Sequence, residues 1–128
     1  MSVFDPIRAA VETTTGLTGK VYHAEALKNA SAPFAFWIQI REETEQALDG
    51  YTSLDTSAFE LHLCSSHLDQ LDTMAAAARS AVIGFQGTAS GGILYERVNI
   101  RQLTPVIRER EVGLFRKVYE ITINHQSI

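Results

Sequence analysis

Residues Phe34 to Glu42 alternate in character. Phe34, Phe36, Ile38 and Ile40 fall on one side, and Ala35, Trp37, Gln39 and Arg41 on the other. A period of two predicts a strand. The second side is not simply polar, because it carries Trp37. That side is expected to meet either another element or another chain, a core role being the commoner use of a large aromatic ring. Ala58 to Cys64 alternates in the same way, with Phe59, Leu61 and Leu63 opposite Glu60, His62 and Cys64. These two strands are expected to pair antiparallel through the acidic stretch Glu42 to Ser57, which carries a turn signal at Asp49-Gly50. The stretch reads either as an exposed hairpin connection or as a long loop reserved for contacts.

Helical spacing appears twice. Val3, Ile7, Ala10 and Val11 line one side of a first helix, with Asp5-Pro6 suited to its start and Ser2 as a rival cap. Gly16 stands where a left-handed residue would close it. Ser66 to Ile83 is the stronger helix. Ser66 and Asp69 form a capping pattern, Leu68, Leu71, Met74, Ala75, Ala78 and Val82 form the apolar stripe, and Gly84 ends it. A short strand is expected at Lys20 to His23, then a connection to Pro33. Phe85 to Gly92 reads as a mobile Gly/Ser/Thr-rich loop, Ile93 to Leu103 as a strand, and Thr104 to Val112 as a turn. Gly113 to Gln126 reads as a final strand with Phe115, Tyr119, Ile121 and Ile123 on one side. The order predicts one α+β domain over residues 1–128, an antiparallel sheet of about four strands with two main helices on one face.

Charge adds one feature. The net charge is −4, but residues 1–64 carry −5 and residues 65–128 carry +1. The overall sign disfavours general nucleic-acid binding. The asymmetry fits either a scattered solvated surface or complementary faces for a neighbouring copy. The single cysteine, Cys64, allows no internal disulfide, and the N-terminal residues show no secretory pattern. The longest apolar run, Ala32 to Ile38, is too short to span a bilayer. A reducing cytoplasm is the expected site of synthesis.

Candidate chemistry thins out on inspection. Ser65, Ser66 and His67 adjoin, but at a helix start, where serine serves as a cap. His62 and Cys64 share a strand side in parallel, a poor geometry for proton transfer. His62, Cys64 and His67 lack the usual zinc spacings. Gly91-Gly92 lacks the Gly-Lys-Ser/Thr of a phosphate loop. Glu42 and Glu43 point to opposite sides of a strand, unlike a glycosidase pair. Tyr95, Arg97 and Arg101 could form a stacking stripe for single-stranded nucleic acid, against which the acidic total weighs. The reading is therefore no enzyme, no cofactor and no metal.

Four segments carry a resemblance. They are Gly19-Lys20-Val21-Tyr22-His23 after a helix; Ala32-Pro33-Phe34-Ala35-Phe36-Trp37-Ile38, followed by Leu48-Asp49-Gly50; Phe59 to Ser65 running into a helix that ends Ala78 to Gly84; and Gly113 to Ile121. In this order the chain resembles the phage tail-completion proteins, the tail-to-head joining, tail-terminator-like family. Cys64 and the length of Phe85 to Gly92 depart from the pattern. The resemblance implies an antiparallel sheet with helices packed on it. It also implies a non-enzymatic virion protein, assembled in the bacterial host cytoplasm, that forms a ring, commonly of six, at the head-proximal end of the tail. Its expected partners are its own copies, the tail tube protein and the head–tail connector protein, with the free chain either a monomer or already assembled. Trp37, Arg41, Glu43, Asp49, Tyr51, Arg97 and Arg101 are the expected contact residues. The rival reading is a small bacterial ligand-binding or regulatory domain with a pocket between helix and sheet.

Overall fold

The computed structural model describes residues 3–24, 31–46, 53–110 and 113–127. The elements are α1 (Asp5–Thr15), β1 (Val21–His23), β2 (Phe34–Gln46), β3 (Ser53–Ser65), α2 (Leu68–Ile83), β4 (Thr88–Ser90), β5 (Ile93–Gln102), β6 (Ile107–Glu109) and β7 (Leu114–Ser127). The strands form one seven-stranded sheet in the order β1-β2-β3-β7-β5-β4, with β6 also on β7. This corrects the expected antiparallel sheet of about four strands. The chain is α+β, but its sheet is mixed and curled, because β1 runs parallel to β2. Among the described residues no helix is long and apolar enough to cross a membrane.

Helix α1 starts one residue earlier in capping terms than the Asp5-Pro6 pair suggests: Phe4 occupies the cap position and Asp5 the first helical one. Ser2 lies outside the described residues. Gly16 does adopt the left-handed conformation, with φ 75°, and the Leu17 N–H turns back to the Glu12 carbonyl at 3.0 Å. At α2 the cap residue is His67, not Ser66. The hydroxyl of Ser65 accepts from the His67 N–H at 3.1 Å and donates to Gln70 at 2.6 Å.

The acidic stretch 42–57 is mostly strand. Pairing of β2 with β3 continues from Glu42↔Ser57 out to Gln46↔Ser53, so the two form one long hairpin. The expected Asp49-Gly50 turn lies outside the described residues. Part of Phe85 to Gly92 is also strand, since β4 pairs with the start of β5. Within the expected 104–112 turn, β6 pairs Ile107 with Arg116 and extends the β5–β7 ladder.

The core lies between the helices and the sheet side that bears Ala35, Trp37, Phe59, Leu61, Leu63, Tyr95, Val98, Ile100, Tyr119, Ile121 and Ile123. The helices contribute Ile7 and Val11 from α1, and Leu71, Met74, Ala75, Ala78 and Val82 from α2. On β2 the side with the larger aliphatics faces away from the helices. Ala35 is fully buried, whereas Ile40 is 38% exposed. The Phe4 ring packs on the Trp37 indole at a centroid distance of 4.6 Å. Trp37 also packs against Phe59 and stacks on His23 at 4.2 Å. Trp37 is thus a core residue.

Two bulges reset the alternation. Gln39 faces Phe59 and Arg41 faces Ala58, so Ile40 is an extra residue in β2. Tyr95 faces His125 and Arg97 faces Asn124, so Glu96 is the extra residue in β5. Each bulge exchanges which side the following residues occupy.

Candidate functional site

The sheet side away from the helices gathers four of the seven expected contact residues. Arg41 and Glu43 reach it because of the Ile40 bulge, paired with Ala58 and Thr56. Arg97 and Arg101 reach it from β5, paired with Asn124 and Glu120. All four are exposed. Trp37 lies on the opposite side, inside the core, and Asp49 and Tyr51 lie outside the described residues.

On this side Arg101 is tied to Glu120 at 3.1 Å. Further along, Arg116 pairs with Glu109. The His62 ring stacks on Phe36 at 4.4 Å, and its Nε2 meets Glu60 at 3.0 Å. Tyr95 does not join Arg97 and Arg101. It is fully buried on the helix side, which removes the aromatic member of the imagined nucleic-acid stripe. Cys64 is 3% exposed, and burial pushes its thiol up to about 11, opposed by nearby Arg116 and reinforced by Glu109. Such a thiol is a poor nucleophile.

A second grouping sits on the helix side, at the root of the β2–β3 hairpin. Glu42 comes from β2, Asp55 from β3 and His125 from β7. One ligand atom from each lies within 4.8 Å of the other two. Asp55 is the sheet partner of His125, and Glu42 faces Ser57, one alternation further along β3. His125 is 4% exposed, and its Nε2 lies 2.9 Å from the Ser57 hydroxyl, itself buried. Burial lowers the pKa of the imidazole, against the upward pull of Asp55 and Glu42. Sequence reasoning missed this trio. The search for ligands followed the close spacing of His62, Cys64 and His67, whereas these three are far apart in sequence. The signal available was the polar side chains at 42, 55, 57 and 125. It becomes readable only with the strand register known.

A groove of about 260 Å³ lies between the end of α1 and α2, lined by Thr14, Thr15, Leu17, Pro33, Thr73 and Met74. Three of its hydroxyls are engaged by their own helices: Thr14 with Ala10, Thr15 with Val11 and Thr73 with Asp69.

No protein-family model matches the chain, and no curated protein matches it. Among solved structures the chain is similar to one in the "Virion of native gene transfer agent (GTA) particle", at 16% identity and a TM-score of 0.52, covering 94% of both chains. At that identity the likeness is one of fold, and it extends over nearly the whole length of each chain.

Proposed function

We propose that this chain is a structural, non-catalytic subunit of a phage-like particle. In this reading its copies close into a ring at the head-proximal end of the tail, ending the tube and joining it to the head. The observation that carries the reading is the end-to-end fold likeness to a chain of a gene transfer agent virion. The four sequence segments resembling tail-completion proteins point the same way. The finer role, tail termination and joining, rests on that resemblance.

The charge layout suits head-to-tail association, which closes a ring from two different patches per subunit. Residues 41–55 hold one basic and five acidic side chains, and residues 107–117 hold four basic and two acidic. The described parts of these segments sit at opposite ends of β7, since Asp55 pairs with His125 and Ile107 with Arg116. Opposite charges on opposite ends orient neighbours and reject the reversed approach. The tail tube protein and the head–tail connector protein are the partners above and below. Arg41, Glu43, Arg97 and Arg101 are assigned to these contacts.

Deleting the gene from a particle-producing strain tests the role. Overlong or headless tails are expected. Normal tails joined to heads would overturn it. The α1–α2 groove favours a ligand-binding domain instead, and retention of a small molecule through native mass measurement would support that reading.

A further inference from the structure

We infer that Glu42, Asp55 and His125 form a binding site for a divalent first-row transition cation, at the root of the β2–β3 hairpin. Four observations carry this. The first is convergence: three strands each supply one ligand atom, all within 4.8 Å of one another. Ligand atoms held ~2.1 Å from a common ion stand ~3.4 Å apart, so a small side-chain adjustment closes the site. Glu42 is exposed, and its carboxylate is held only by a 3.5 Å hydrogen bond accepted from the Gln39 amide.

The second is the donor set. One imidazole and two carboxylates suit zinc or manganese better than calcium or magnesium, which prefer oxygen alone. The third is the support behind the histidine. Ser57, 1% exposed, holds Nε2 at 2.9 Å and so fixes the ring. A hydrogen bond on one nitrogen that orients the other is the usual arrangement behind a metal-bound histidine.

The fourth is the bulge. Without the bulge, simple alternation from Gln39 through Ile40 would turn Glu42 away from Asp55 and His125. Bulges that re-aim one side chain are a recurrent device at functional sites. Charge is compatible with this: among the described residues Glu42 and Asp55, like Glu43, Asp69 and Glu96, have no basic side chain within ion-pair distance. A cation would fill that role. Bound there, it would tie β2, β3 and β7 together where the hairpin leaves the sheet. The inference does not depend on the proposed role in a particle.

Untagged protein, stripped with chelator, is titrated with zinc and separately with manganese by calorimetry, with thermal melts alongside. Binding of one equivalent with a micromolar or tighter dissociation constant is expected, together with a rise in melting temperature. Glu42→Gln and Asp55→Asn, which keep side-chain volume, should each weaken binding at least ~10-fold. Bound manganese should selectively broaden the NMR signals of Asp55, Ser57 and His125. Two results overturn the inference: neither ion binding below millimolar concentration, or binding unchanged in both variants.

Discussion

The phenolic hydroxyl of Tyr95 donates to the main-chain carbonyl of Val3 at 2.6 Å, joining positions 92 residues apart. Burial pushes this phenol up to about 12, with Asp5 adding to the shift. The bond fastens the chain before α1 onto β5. Tyr95→Phe removes the donor and leaves the Val3 carbonyl in need of another, at a cost of about 1 kcal/mol. The folded pKa lies above the ordinary value of 10.0, so stability is intact below pH ~10 and declines as pH rises toward ~12. Urea midpoints measured from pH 8 to 11 should fall at the alkaline end for the native chain and less for Tyr95→Phe.

Trp37 anchors the contact between α1 and the sheet through Phe4 and Phe59. Trp37→Ala should destabilise by about 3–5 kcal/mol. Trp37→Phe should cost much less. It keeps an aromatic ring and removes an indole N–H that meets no acceptor among the described residues. Chemical denaturation of both variants checks the order. Equal losses would mean that the indole, not the ring contacts, matters.

His125 makes stability depend on acid. Its pKa is lowered in the folded chain, so the unfolded chain takes up the proton first as pH falls. The contribution is complete above the ordinary histidine value of 6.5 and is lost as pH drops through the lower folded value. Denaturation midpoints for the native chain should decline between pH 7 and 5 in chelator. His125→Asn should show a shallower decline from a lower starting point.

Cys64 should resist alkylation. With 3% exposure and a thiol raised to about 11, it has little thiolate at pH 8. Iodoacetamide is expected to modify it only after denaturation, as mass measurement would show. Rapid labelling of the folded chain would contradict the placement of Cys64 between Phe34 and Arg116 in the ladder.

The sequence exposed some of this architecture and hid the rest for physical reasons. Phe59, Leu61 and Leu63 point inward as their alternation predicts, and the Leu71 to Val82 stripe of α2 is buried. On β2 the rule of burying the larger aliphatics fails. The small residue Ala35 takes a fully buried place on the core side, while Phe36 and Ile38 are only partly covered on the curled outer side. Glu42 to Gln46 looked like loop because hydrogen bonding to β3, which composition does not record, holds those acidic residues extended. The parallel pairing of β1 was hidden because three residues carry no sign of strand direction. The trio of Glu42, Asp55 and His125 combines all of these difficulties: it needs the hairpin, its register and the bulge together.

The extra residue Ile40 gives the hairpin a parity. Straightening the bulge with every residue kept would exchange the two sets of charges, sending Glu43 beneath the helices and Glu42 to the far side, whereas deleting Ile40 along with the bulge would leave both in place. Removing a matched pair from each strand would merely shorten the arm. Natural chains of this fold that conserve the trio should therefore either keep the extra residue in β2 or lack both that residue and the bulge.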